Sequence, residues 1–221
     1  MERSDPGAMQ PLPGDHVCAF YRGPAERDRL ISAYVRDGLQ SGHACLCVTG
    51  HEAGSDVLSA LAGTGARRLD GHDSRRAHPS SSGAAEPMVR LIEKWSRDTW
   101  EHDDYSFAHV VADMTWALPA GDPPSSDSIA CYEASATTWA RCYQQSCVCL
   151  YDLDRFGSVV LDVIKAHRRV WLHGVVLDNP YVRSDQMAMT AGVDDHAVAG
   201  PISAPPHRGL RPRRPPAVPA R

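Results

Sequence analysis

Lysine is nearly absent. Of 23 basic residues only Lys94 and Lys165 are lysines, and neither follows a glycine-rich loop. No GxxxxGK[ST] segment occurs, and TGHEAGSDV, where one would sit after an apolar strand, has no lysine, so both the backbone cradle and the cation for phosphates are missing. The chain also lacks a GxSxG elbow and an HExxH pair, which removes the usual hydrolase and zinc-protease signatures and leaves the 11 histidines scattered. No run approaches the roughly 18 apolar residues of a membrane span, and MERSDPGAMQPLPGD has no apolar region of a secretory signal. A cytoplasmic protein without membrane contact is expected. Seven cysteines, an odd number, are too sparse for a disulfide scaffold and fit reduced thiols. A formal net charge of −4 gives the body of the chain no basic face for nucleic acid.

What is present is a 221-residue chain, 43% hydrophobic and 23% charged, enough for one domain with a sizeable core. PLPGDH ends a leader over 1–13, and HVCAFY reads as a short strand. Leu30, Ile31, Tyr34, Val35 and Leu39 recur at helical spacing up to Gly42, and ACLCVTG over 44–50 reads as a strand buried on both faces. A helix is expected from Ser55 to Ala62. Residues 63–87 carry almost no apolar side chains and read as a loop. Helical spacing resumes from Met88 to Trp100, FAHVVADMTWAL reads as a strand, and a helix from Ile129 to Tyr143 leads into the strand CVCLYDL. Val159–Ala166 reads as helical, and VWLHGVVLDNP as the last strand. Beyond Asp195 no acidic residue occurs, and 193–221 reads as a solvated Pro/Arg-rich tail, the only segment suited to nucleic acid. Strands alternating with helices predict an α/β domain over 14–192 with a mainly parallel sheet. Ligand chemistry belongs at the strands' carboxyl ends: Thr49 to His51, Asp113 to Trp116, Tyr151 to Asp154, and Asp178 to Tyr181.

Four separated segments, GDHVCAFY, VVADMTWAL, CVCLYDLDRFGSVVLDVIKAH and VVLDNPYV, resemble the MEDS sensory domain over about residues 14–190. The resemblance implies a RecA-like fold without a phosphate loop, used as an input domain in prokaryotic signal transduction and transcription regulation, with small hydrocarbon derivatives as ligands. It places the family's His-x-Cys pair on His16 and Cys18. The family also has an apolar strand after the second helix, where this chain offers ARRLDGHDSRRAHPSSS.

In an extended segment His16 and Cys18 point to one face, where imidazole and thiolate suit a soft or borderline metal; a structural histidine beside a buried thiol is the alternative. Cys45 with Cys47, and Cys147 with Cys149, repeat the spacing. The RecA-like order that the resemblance supplies makes their strands neighbours and gathers the thiols; as plain residues they are small apolar fillers. Without a phosphate loop, Asp113 is expected to cap or hydrogen-bond within a small-molecule pocket walled by Trp116 and Tyr151, although Trp116 equally suits the core. Asp152 or Asp154 is expected to cap a helix in DLDRF, and Asn179, Pro180 and Tyr181 to form a turn. The ligand-binding set is then His16, Cys18, Tyr21, His51, Asp113, Trp116, Tyr151 and Asp152, with no catalytic residue and His16 and Cys18 as the metal candidates. The expected function is a stand-alone, non-enzymatic sensor that binds a small ligand and signals to a separate regulatory protein. The alternatives are a ligand-independent adaptor in sigma-factor or kinase regulation and, last, a nucleotide-dependent RecA-like enzyme.

Overall fold

The computed structural model describes residues 11–49, 69–73, 85–102, 105–118 and 126–182. Among these residues seven strands form one sheet: β1 (His16–Tyr21), β2 (Ala44–Thr49), β3 (Leu69–Asp73), β4 (Ala108–Asp113), β5 (Gln145–Asp152), β6 (Arg169–Leu172) and β7 (Val175–Asp178), in the order β3-β2-β4-β5-β1-β6-β7. All neighbours are parallel except β6 and β7. Helix α1 (Gly23–Gln40) covers one face. Helices α2 (Ala85–His102), α3 (Ser126–Cys142), the single turn α4 (Leu153–Phe156) and α5 (Val160–Ala166) belong to the other.

The period-2 alternation of the strands decides which layer each side chain enters. Val17, Ala19 and Tyr21 of β1, Cys45 and Cys47 of β2, and Val148 and Leu150 of β5 pack under α1 with Ile31, Tyr34 and Val35. Cys18, Leu46, Val48, Val110, Cys147, Cys149 and Tyr151 enter the opposite layer with Met88, Ile92, Tyr132 and Trp139. Every residue of β2 and β4 is buried, as expected of parallel strands with helices on both sides. Helix α1 lies close enough to the sheet that a Cβ on Gly38 would stand 2.8 Å from both Cys45 Sγ and His109 Cγ.

Three sequence expectations need correction. A strand does occur within 63–87: β3 pairs in parallel with β2 at the edge of the sheet. The strand in FAHVVADMTWAL ends at Asp113, the carboxyl end the sequence indicated, and the Asp113 side chain accepts the backbone N–H of Thr115 and starts a 3-10 turn over Met114–Ala117. VWLHGVVLDNP is a hairpin rather than one strand, because His173 and Gly174 take φ of 48° and 82° and turn the chain back. Consequently Asp178–Tyr181 lie beside the start of β6, at the amino end of the parallel strands, where Asn179 N–H donates to the Arg168 carbonyl. The expected helix over 55–62 falls outside the described residues.

Candidate functional site

His16, at the start of the interior strand β1, points into the layer under α3. There its Nε2 lies 3.0 Å from Glu133 Oε2 and 3.3 Å from Cys149 Sγ. His167, the residue after α5, brings its own Nε2 to 2.9 Å from the same carboxylate oxygen. One ligating atom from each of His16, Glu133, Cys149 and His167 thus falls within 4.8 Å of every other, and all four residues are buried. Cys18 stands one pleat further along β1 on the same face, with its thiol beside His167.

Partners outside the cluster hold these side chains in orientation. His16 Nδ1 meets Thr137 Oγ1 at 2.9 Å, and His167 Nδ1 donates to the Val163 carbonyl at 2.8 Å. Tyr151 OH donates to Glu133 Oε1, leaving Oε2 turned to the two imidazoles. Cys149 Sγ lies 4.0 Å from both Cys147 Sγ and Tyr132 OH.

Burial works against any charge here, and the cluster answers it internally. For Glu133 burial pushes the carboxyl up, but His167 and His16 outweigh it and bring the pKa down to about 2. Burial pushes both histidines down. Cys149 and Glu133 nonetheless lift His16 above its usual value, and Cys18 and Glu133 lift His167 well above. Burial, with Cys147 beside it, holds Cys149 as a neutral thiol. The arrangement is a carboxylate with two imidazoles competing to carry positive charge against it.

The residues expected to form one site are divided by the sheet. His16, Cys18 and Tyr151 belong to the cluster layer, and Trp116 packs edge-on against Tyr132 there, with ring centroids 5.1 Å apart. Tyr21 and Asp113 lie on the α1 side, where Tyr21 OH donates to Asp113 Oδ1 at 3.0 Å and Arg27 stands 3.5 Å from Oδ2. Burial raises the pKa of Asp113 against the pull of Thr115, Tyr21 and Arg27. Asp113, Trp116 and Tyr151 therefore do not wall one pocket, because successive residues of a strand face opposite sides. Asp152 accepts the backbone N–H of Asp154 and caps α4. His51 lies outside the described residues. The four strand thiols do not gather either: β4 separates β2 from β5, and Cys45 and Cys47 face α1 while Cys147 and Cys149 face α3. Burial pushes the pKa of both Cys45 and Cys47 up to about 12.

Glu133 and His167 were missed by sequence reasoning. Glu133 carried a signal, being an acid within the apolar stripe Ile129, Tyr132, Ala136, Ala140 of α3, where an ionisable group needs a partner. His167 carried none, since a histidine after a helix is an ordinary terminus. Among the described residues an apolar crevice between α2 and α3, lined by Val89, Ile92, Tyr132, Ala136 and Trp139, encloses about 10 Å³, room for about one water-sized species.

The model of the family described as the methanogen/methylotroph, DcmR sensory domain matches residues 15–168. The transcriptional repressor DcmR of Methylorubrum extorquens is 28% identical over 162 residues, covering 69% of this chain and 58% of that protein, so the chain spans less than two thirds of its relative. Among solved structures an ATPase domain superposes with a TM-score of 0.51 at 9% identity, over 72% of this chain and 69% of that one. That likeness concerns the fold alone and gives it as RecA-like α/β. No described helix is long and apolar enough to cross a membrane.

Proposed function

The chain belongs to the MEDS family of sensory domains. From that premise we propose that it is a non-enzymatic regulatory domain whose input is a small ligand read at the cluster of His16, Cys18, Glu133, Cys149 and His167, and whose output is carried by a separate regulatory protein. The observation that carries the reading is the convergence of four buried ligating atoms within 4.8 Å. The cluster draws on β1, α3, β5 and the segment joining α5 to β6, so a bound species ties four elements together. Binding changes a partner only when it favours one arrangement of those elements. Burial restricts the ligand to a few atoms. The relative's role as a transcriptional repressor supports an output in transcription regulation.

Native mass spectrometry of anaerobically purified protein tests this. A stoichiometric adduct that disappears on denaturation is the expected result, together with a ligand response that is lost in Cys18→Ser of unchanged far-UV circular dichroism. An unchanged ligand response in Cys18→Ser removes that residue from the mechanism. One observation favours a ligand-independent adaptor: Leu172, Val175 and Leu177 of the β6–β7 hairpin, with Tyr181 just beyond, are exposed apolar side chains at the sheet edge. A partner that raises thermal stability equally in wild type and Cys18→Ser, with no small molecule doing so, favours that reading. A nucleotide-dependent reaction has the least support, since Asp113 is buried and engaged by Tyr21 and Thr115; ATP turnover abolished by Asp113→Ala would restore it.

A further inference from the structure

We propose that the cluster is a binding site for one divalent transition-metal ion of zinc-like softness, with His16 Nε2, His167 Nε2, Glu133 Oε2 and Cys149 Sγ as its ligands. This rests on the sensory reading of the same residues and names the class of ligand they take.

The first argument is hydrogen placement. A carbonyl only accepts, so the contact from Val163 puts the hydrogen of neutral His167 on Nδ1 and leaves a bare lone pair on Nε2. That lone pair stands 2.9 Å from Glu133 Oε2, itself a lone-pair atom, and two such atoms at that distance need a cation between them. A proton would do so along a hydrogen bond. The geometry for one is absent: Glu133 Oε2 and His167 Nε2 are buried atoms without a hydrogen-bond partner despite their proximity. A metal ion bound off the line between them satisfies both lone pairs.

The surroundings agree. Each histidine turns its other ring nitrogen to an outside partner, Thr137 for His16 and the Val163 carbonyl for His167, which is how metal-bound imidazoles are fixed. Tyr151 does the same for the carboxylate through Oε1. Tetrahedral bonds of about 2.0–2.3 Å imply ligand separations of about 3.3–3.8 Å. The observed spacings, from 2.9 Å and 3.3 Å up to at most 4.8 Å, bracket that range.

Charge and donor type then choose the ion. A dication with one carboxylate, one thiolate and two neutral imidazoles has no net charge, which suits a buried site. Two nitrogens and a sulfur exclude calcium and magnesium, which take oxygen ligands, and suit the zinc, cobalt and nickel series. Binding requires Cys149 to release its proton, which a coordinated dication drives. Cys18 Sγ, beside His167, is the thiol next in reach.

The full-length chain is chelated and titrated anaerobically with Co²⁺ as probe, and separately purified from cobalt- and zinc-supplemented cultures for metal analysis. One Co²⁺ per chain is expected, displaced by Zn²⁺, with a thiolate-to-cobalt charge-transfer band that disappears in Cys149→Ser and persists in Cys45→Ser. Thr137→Val should weaken binding about tenfold through the loss of the outer partner of His16. X-ray absorption of the wild-type cobalt protein reads the same ligand set without any substitution, and one sulfur with three nitrogen or oxygen neighbours supports it. Folded wild-type protein that carries no stoichiometric metal by either route overturns the inference, and so does a band indifferent to Cys149. If metal binds as expected while loaded and metal-free protein engage the regulatory partner equally, the site stands and the sensory reading falls.

Discussion

Acidification should destabilise this protein through one histidine on the face away from the cluster. His109 is 1% exposed on β4, its ring centroid 4.8 Å from that of Tyr34, with Nε2 3.1 Å from His43 Nδ1. Burial, with the neighbouring His43, lowers its pKa to about 3. A folded-state pKa below the unfolded value means the unfolded chain takes up the proton first, so stability is complete above about pH 6.5 and falls as pH drops toward about 3. Between about pH 7 and pH 5 the linkage amounts to about 2 kcal/mol, still rising at lower pH. His109→Asn keeps a polar group of similar reach but cannot titrate. Its absolute stability drops as ring packing is lost, so the pH slope is the informative quantity. Urea denaturation at several pH values should show wild type losing about 2 kcal/mol more than His109→Asn over that interval, since the buried imidazole that titrates is removed in the variant. Parallel slopes would refute the reasoning, because His109 would then accept its proton in the folded state.

Other outcomes follow from the packing. Gly38→Ala gains about 1 kcal/mol of helix propensity. Its new Cβ meets Cys45 and His109, an overpacking cost of about 1–3 kcal/mol, so a net loss is expected and a raised urea midpoint would contradict the close approach of α1. Gln145 accepts from Ser96 Oγ at 3.0 Å and donates to the Trp139 carbonyl at 3.2 Å, both buried; Gln145→Leu strands them and should cost about 2–4 kcal/mol at an unchanged denaturant slope. Asn179 Nδ2 donates to the carbonyls of Ile164 and His167; Asn179→Ala should cost about 1–2 kcal/mol and weaken Co²⁺ uptake by loosening the segment that carries His167. Cys131 and Cys142 are exposed and the other five cysteines buried, so a thiol reagent should titrate two groups in native protein and all seven after unfolding.

Much of the architecture was legible because it is written in local periodicity. The alternation of HVCAFY, the apolar runs ACLCVT and CVCLYD, and the helical spacing of Leu30 to Leu39 each describe one element, and elements in strict alternation leave few folds. Elements whose signal lies elsewhere failed. LDGHD is too polar to read as a strand, and it pairs because β2 offers it an edge. HG is a weak turn signal until both residues adopt positive φ, so the last hairpin read as one strand.

For the site, the sequence alone determined that His16 and Cys18 share a face, because two residues in a strand are separated by one pleat. It also determined that no phosphate loop is present. Only the tertiary structure decided what that face meets. Parallel pairing of β1 with β5 sets His16 beside Cys147 and Cys18 beside Cys149 in register, α3 drops Glu133 onto them, and the end of α5 returns His167 from 151 residues further along the chain. The same pleat sent Tyr21 and Asp113 through to the α1 side, dividing a set that looked like one. Local pattern specifies which side of its own strand a residue takes; which other chain segment waits there is settled by the packing of layers, and no spacing along the chain encodes it.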